Sequence, residues 1–227
     1  MLEKLHNFLL FFYRSQKLDG GGERVDINCL KKPDFNTFDI YQKTHWQRYL
    51  FCQKLINPLE ICGDFACGTG YGSAMMAQKA KSVIGVDVNL KVINAIGKRY
   101  KKQKNLFFIQ KNLLDLDYQD YFDKIISFET LEHFEEQEIL KLLRLFHLSL
   151  KENGMLIFST PYRQEPSPVA LKMGFHKTFE IDETKINKWL QQTGFQLLYF
   201  KYQNYQSFDL FDELNHKDFI IGLASTI

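Results

Sequence analysis

The stretch Leu59-Glu60-Ile61-Cys62-Gly63-Asp64-Phe65-Ala66-Cys67-Gly68-Thr69-Gly70-Tyr71-Gly72-Ser73 decides how this chain is read. Its first half has the apolar character of a short strand, and its second half sets glycines at positions 68, 70 and 72 just ahead of a helical pattern. Glycines in a strand-to-helix turn permit positive φ and let a ligand approach the backbone at a helix N-terminus, so a nucleotide-like ligand is expected against this loop. The spacing is G-x-G-x-G with Asp64 just upstream, whereas dinucleotide sites space their glycines G-x-G-x-x-G. That difference favours an aminoacyl sulfonium cofactor over a nicotinamide one.

Working outward, Asp87 ends the next apolar segment, 19 residues beyond Gly68, where a carboxylate can accept hydrogen bonds from both hydroxyls of a ribose. Strands are predicted over 59–65, 82–87, 106–110, 124–128 and 155–159, with helices over 71–79, 90–100 and 135–150. This alternation is the rhythm of an α/β fold with a mostly parallel sheet and helices on both faces. Towards the tail, a helix over 182–192, a strand over 195–202 and an apolar run over 219–224 follow without an obvious intervening helix. They predict a closing antiparallel hairpin.

Residues 59–70 and 83–89 resemble the first two motifs of the class I S-adenosylmethionine-dependent methyltransferases. The resemblance implies a Rossmann-like seven-stranded sheet with one reversed strand near the C-terminus, and S-adenosylhomocysteine as product. It puts Asp64, Gly68 and Gly70 at the methionine end of the cofactor, Asp87 at the ribose and residues 109–113 beside the adenine. Ala66, Cys67, Thr69, Val88, Leu113 and Phe128 complete the expected cofactor site. Asn112 stands where many relatives carry an aspartate, and its side-chain oxygen can accept from the adenine amino group.

The strand over 124–128 runs into Glu129-Thr130-Leu131-Glu132-His133, which sets Glu129, Glu132 and His133 at i, i+3 and i+4. Such a cluster can supply oxygen and imidazole ligands to a divalent cation, and His176, in Gly174-Phe175-His176-Lys177, is a fourth candidate that could fold back over the cleft. Two methyltransferase groups look similar here: those acting on the terminal ribose of small RNAs and the ubiquinone-pathway enzymes acting on catechols. Both imply a metal, Mg2+ or Mn2+, held by Glu129, Glu132, His133 and His176. A cation can chelate adjacent oxygens, lower a hydroxyl pKa and orient it for in-line transfer. Without metal, His133 or His176 would serve as general base, with Glu129 in the same catalytic group. A purely structural reading has Glu132 and His133 capping the following helix or hydrogen-bonding a loop.

Upstream, Gly22-Glu23-Arg24-Val25 and His45-Trp46-Gln47-Arg48-Tyr49 mix charged and aromatic groups that could cover a cofactor carboxylate and stack on a sugar, with His45, Arg48 and Tyr49 as lid or substrate residues. Alternatively they only anchor a lid. Together with residues 66–73 and Ser159-Thr160-Pro161, these segments resemble a bacterial methyltransferase group linked to surface-polysaccharide or lipopolysaccharide assembly, although Asp26-Ile27-Asn28 departs from the usual upstream pattern. That resemblance implies O-methylation of a glycan or glycan precursor. Alternative readings are a catechol or quinone intermediate, an RNA ribose, or a cofactor-binding scaffold without turnover.

The remaining features set bounds. A length of 227 residues with 45% hydrophobic content fits one domain, with 1–56 as an N-terminal helix and lid region and 57–227 as the Rossmann-like core. A net charge of +2 gives no broad pull toward nucleic acid, so the expected partner is a small-molecule or glycan acceptor, with a homodimer allowed. Cys29, Cys52, Cys62 and Cys67 follow neither zinc nor disulfide spacing, which fits a reducing cytoplasm. The apolar run over 8–13 is too short for a bilayer span, and Leu2, Leu5, Leu9 and Phe12 form a stripe that covers the core or meets a partner. A helix is expected around Trp46, Tyr49, Leu50 and Ile56, stopping before Asn57-Pro58. His6, His147 and His216 receive no role.

Overall fold

The computed structural model describes residues 24–29, 33–168, 172 and 174–227. The stripe of Leu2, Leu5, Leu9 and Phe12, together with His6 and the Gly20-Gly21-Gly22 break, lies outside the described residues. Helix α1 (Ile40–Leu55) starts at Asp39, whose carboxylate accepts from the backbone N–H groups of Tyr41 and Gln42 while the Gln42 side chain accepts from the Asp39 N–H. This reciprocal cap satisfies amides that the first turn leaves unpaired and begins the helix ahead of the apolar positions that announce it.

Six further strands follow β1 (Ile61–Phe65): β2 (Ser82–Asp87), β3 (Leu106–Gln110), β4 (Phe122–Phe128), β5 (Leu150–Pro161), β6 (Phe195–Gln203) and β7 (Phe219–Thr226). Between them run α2 (Tyr71–Met76), α3 (Leu90–Arg99), α4 (Glu136–Ser149) and α5 (Glu183–Gln192). The strands form one sheet in the order β3-β2-β1-β4-β5-β7-β6. All pairings are parallel except those of β7, which is antiparallel to both β5 and β6. The expected sheet and its antiparallel closure are therefore present, and the fold is Rossmann-like. Strand β5 begins five residues before its predicted start, because Leu150 pairs with Phe122 ahead of a register shift in β4.

Two apolar layers sandwich the sheet. One packs α1, α2 and α3 through Cys52, Met75 and Ile96 on Cys62 and Ile126; the other packs α4 and α5 through Leu142, Phe146 and Trp189 on Phe65 and Ile125. Alternate residues of β1 and β4 thus serve opposite faces, as the period of a strand requires. Gly72 lets α1 and α2 approach: a Cβ there would lie 2.0 Å from the Tyr49 ring. The order of the sheet reverses at β1, whose neighbours are β2 and β4, and the crevice outside the carboxyl ends at such a switch is where open α/β sheets bind ligands. Among the described residues no helix is long and apolar enough to cross a membrane. All four cysteines are free thiols.

Candidate functional site

At the switch point β1 leaves the sheet through Ala66 at φ +62°, followed by Gly68 at +51° and Gly70 at +71°. The Cys67 N–H donates to the Val86 carbonyl at 2.9 Å, tying the turn to β2, and the Gly68 N–H donates to Asp87 Oδ2 at 3.1 Å. Asp87 Oδ1 accepts from the Asn89 N–H at 2.9 Å, so backbone donors hold both carboxylate oxygens in place. A Cβ built on Gly68 would meet only the Arg24 stem, at 3.7 and 3.8 Å, so the space above this loop is open. It belongs to a cavity of about 430 Å³.

Most of the predicted cofactor residues line that cavity: Ala66, Cys67, Gly68 and Thr69 from the turn, Asp87 and Val88 after β2, Asn112 and Leu113 after β3, and Phe128 from β4. Two do not. Asp64, expected at the methionine end of a ligand, is buried beneath the loop and accepts hydrogen bonds from Tyr49 Oη at 3.1 Å and from Ser73 Oγ. Burial raises its pKa to about 6, against the hydrogen bonds from Ser73 and Tyr49 that favour the charged form. Gly70 is spent on packing, since a Cβ there would come 2.8 Å from the Phe108 ring. Asn112 Oδ1 accepts from the Leu114 N–H at 2.9 Å, which caps the short turn Leu113–Asp115.

Residues 24–29 form a strap over the loop. The Thr69 hydroxyl donates to the Val25 carbonyl at 2.7 Å, Arg99 forks onto Asp26 at 2.6 and 3.2 Å, and Gln42 Nε2 donates to the Asp26 carbonyl at 2.7 Å. Arg24 and Val25 both line the cavity, and Arg24 Nη2 lies 3.1 Å from Asp87 Oδ1.

Of the predicted lid residues, His45 and Tyr49 line the cavity and Arg48 does not. Burial, reinforced by the Arg48 charge, pushes His45 well below its ordinary pKa and keeps it neutral. Arg48 is fully buried, donating to Gln203 Oε1 at 2.8 Å, Ser159 Oγ at 3.0 Å and Glu129 Oε1 at 2.7 Å, with its guanidinium 4.1 Å from the Phe219 ring centroid. The role drawn from sequence, covering a ligand, is replaced by that of a buried brace between α1 and the middle of the sheet.

Glu129, the first of the four expected ligands, lines the cavity but is engaged by this brace and does not join the cluster that the other three form. Glu129 takes φ +49° where β4 ends, and its Oε1 accepts from Arg48 and from Ser159 Oγ at 2.6 Å. The other three come together: one ligand atom from each of Glu132, His133 and His176 lies within 4.8 Å of the others. The rings of His133 and His176 meet edge to face at 5.1 Å. His133 Nδ1 is 2.8 Å from the Phe175 carbonyl, and His176 Nδ1 is 2.8 Å from Gln164 Oε1. The Phe175 carbonyl can only accept, so a neutral His133 carries its proton on Nδ1, the arrangement that outer partners impose on ligating histidines, and Gln164 Oε1 can hold His176 in the same way. Glu132 is buried, and its Oε2 accepts from Thr160 Oγ1 at 3.0 Å. His133 lines the cavity. In the structural alternative, the helix cap of α4 is made by Glu135 and Glu138 instead, whereas Glu132 and His133 do bond the loop around Phe175, the Glu132 carbonyl accepting from the Lys177 and Thr178 N–H groups.

Tyr71, Thr130, Phe134 and Phe175 also line the cavity, although nothing singled them out in the sequence. Thr130 lies within Glu-x-x-Glu-His and Phe134 follows it, and Phe175 precedes His176, so adjacency to the motifs was the available signal. Gln203 and Ser159, which complete the Arg48 brace, are distant in sequence and carry none.

With this geometry in view, residues 63–154 match the family model of a methyltransferase domain. A protein of Mycobacterium tuberculosis named as a probable S-adenosylmethionine-dependent methyltransferase is 32% identical over 106 residues, covering 46% of this chain and 37% of the relative. A ubiquinone biosynthesis O-methyltransferase of Rickettsia conorii is 32% identical over 110 residues, covering 46% and 36%. The chain thus spans little more than a third of the length of these two relatives. The crystal structure of an N-methyltransferase from Bradyrhizobium japonicum in complex with S-adenosyl-L-homocysteine superposes with a TM-score of 0.67 at 16% identity, covering 95% of this chain and 98% of that one. The Rossmann-like methyltransferase fold is shared across that distance.

Proposed function

We propose that this chain is an S-adenosylmethionine-dependent O-methyltransferase that acts on a hydroxyl of a sugar or surface-glycan precursor. A divalent cation, Mg2+ or Mn2+, would be held by Glu132, His133 and His176. The observation that carries the reading is the meeting of these three side chains, with both Nδ1 atoms committed to oxygen acceptors, at the wall of the cavity that Asp87 also lines. One carboxylate oxygen and two imidazole nitrogens form a donor set that suits a divalent ion with positions left for an acceptor's oxygens.

Asp87 and the Gly68 N–H would hold the ribose end of the cofactor, with Leu113 and Asn112 beside the base. Phe128, packed 5.0 Å from Tyr49, would close the cavity against water. S-adenosylmethionine supplies a methyl group activated by its sulfonium charge, and a cation supplies a Lewis acid that lowers the pKa of an acceptor hydroxyl. Vicinal hydroxyls favour such chelation, which is why a sugar acceptor is the leading choice. Glu129 stays ion-paired with Arg48 and fixes the exit of β4 rather than acting as base. A second reading uses the same hydrogen bond from His133 Nδ1: with the lone pair on Nε2, His133 takes the hydroxyl proton directly, without a metal.

The test is transfer of labelled methyl from S-adenosylmethionine into glycan, quinone and RNA fractions, with Mn2+ or Mg2+ and with chelator. Label in glycan that chelator abolishes is expected, and His133→Ala should lower the rate by about 100-fold or more. Label that survives chelator and is lost only in His133→Ala would select the general-base form. Label in quinone or RNA alone would replace the acceptor, and cofactor binding without label in any fraction would replace the enzyme with a scaffold.

A further inference from the structure

Between Phe65 and Leu114 the chain carries a single acid, Asp87, against eight lysines and one arginine. Asp87 belongs to the cavity, Lys111 pairs with Asp117, and Arg99 forks onto Asp26. Lys79, Lys81, Lys98, Lys101, Lys102 and Lys104 are all exposed, and among the described residues none of the six has an ion-pair partner. Without them the chain's net charge of +2 would be negative, so the positive charge of the protein is concentrated in this one stretch.

The fold gathers these lysines on one surface. Strands β1, β2 and β3 are parallel neighbours, so the turns that precede them share the edge of the sheet opposite the cavity. Lys79 and Lys81 lie in the turn before β2, Lys98 in the last turn of α3, and Lys101, Lys102 and Lys104 in the turn before β3. Asn105 Nδ2 locks two of the turns together by donating to the Ala77 and Ala80 carbonyls at 2.8 and 3.0 Å, and the Lys81 N–H donates to the Glu60 carbonyl at 2.9 Å in the turn before β1. Compensation of a helix dipole accounts for Lys98 alone, because the others lie beyond the helices. Mutual repulsion among the rest is a cost that an external anion relieves.

We propose that this amino edge of the sheet is a docking surface for an anionic lipid bilayer. The patch is built of lysine, a hydrated point charge, and the one guanidinium in the stretch that could fork onto a phosphodiester is taken by Asp26. Apolar side chains stand at its rim: Leu59, in the turn before β1, is 80% exposed, and Phe107, at the amino end of the edge strand β3, is 53% exposed. Spread positive charge beside protruding apolar groups supplies the two attractions that hold a protein on an anionic bilayer without spanning it. Strand β2 is six residues long, about 20 Å, so the cavity at the carboxyl ends opens on the side away from the lipid. The surface is separate from the cavity and independent of what the cavity binds.

The test is co-sedimentation of the full chain with vesicles of phosphatidylcholine alone and of phosphatidylcholine with about one-third phosphatidylglycerol. Binding is expected to the anionic vesicles only, and it should fall steeply between about 0.1 and 0.5 M salt as the Debye length shortens. Each lysine at such a surface contributes about fivefold in affinity, so Lys101→Gln/Lys104→Gln should bind about 30-fold more weakly. Lys141→Gln/Lys188→Gln, a pair of exposed lysines on α4 and α5, should bind like wild type, and unchanged thermal midpoints show that both variants are folded. Absence of vesicle binding, equal binding to the two vesicle types, or equal losses in the two double variants would overturn the proposal. Single-stranded RNA bound in place of vesicles, and lost in Lys101→Gln/Lys104→Gln, would overturn it too and assign the same lysines to nucleic acid.

Discussion

Burying the Asp64 carboxyl costs more than its hydrogen bonds from Ser73 and Tyr49 return, which is why its pKa stands at about 6. The unfolded chain releases that proton near the ordinary carboxylate value, so the folded state binds more protons between the two. The contribution of Asp64 to stability is therefore greatest below about pH 4 and is lost as pH rises through about 6. Asp64→Asn removes the charge from the balance. Its stability relative to wild type, from urea denaturation, should improve by about 2–3 kcal/mol between pH 4 and pH 8; a difference that stays flat with pH would show that the carboxyl is not desolvated. The sequence reading put Asp64 at the methionine end of a ligand beside the glycine turn, and the structure buries its carboxyl beneath the loop. Strand periodicity puts it on the same face as Cys62, under α1 and α2, where Tyr49 and Ser73 reach it, and only the packing of those helices reveals this.

At the scale of elements, α1 and α2 approach each other across Gly72, where a Cβ would sit 2.0 Å from the Tyr49 ring. Gly72→Ala must push Tyr49 out, breaking its hydrogen bond to Asp64, and should cost about 2–3 kcal/mol by chemical denaturation. Wild-type stability in that variant would mean that the two helices slide freely. Read from sequence alone, Gly72 belonged to the ligand turn, because spacing cannot tell a glycine that admits a ligand from one that admits an aromatic ring. Elements whose apolar patterns are continuous, such as β2 and β3, were legible to the residue. The start of β5 was not: Lys151-Glu152-Asn153 is polar, and the strand is extended there by pairing at Leu150 with Phe122 rather than by burial. In the site, Glu132, His133 and His176 were legible as one group, whereas the turn at Glu129 toward Arg48 depends on a left-handed backbone that residue types do not encode.

Across the whole molecule, the end of β5, α5, β6 and the approach to β7 are fastened at Glu183. Its carboxylate accepts from Tyr202 Oη at 2.8 Å, Tyr162 Oη at 3.0 Å and Lys217 Nζ at 3.1 Å, and Lys217 lies 3.6 Å from the Tyr202 ring centroid. Burial opposes ionisation, but its own backbone amide, Tyr202, Lys217 and Tyr162 outweigh it and hold the pKa at about 2. The depressed value means that the stabilisation is complete above about pH 4.5 and is lost as pH falls toward 2. Glu183→Gln should lose about 2 kcal/mol at pH 7 and progressively less below pH 4.5, read from thermal or urea unfolding at both pH values. An equal loss at pH 7 and pH 3 would assign the effect to shape rather than charge. The place of β7 bears on how the protein is made. It is the last of the seven strands to be synthesised, yet it lies between β5 and β6, and its residues Phe219 to Ala224 are all buried. A nascent chain on the ribosome must hold the edges of both neighbours open, with their apolar faces uncovered, until residue 226 has emerged. The β7–β6 end of the sheet therefore closes only after β7 has been translated, and until then the growing chain exposes an edge at which other strands could add.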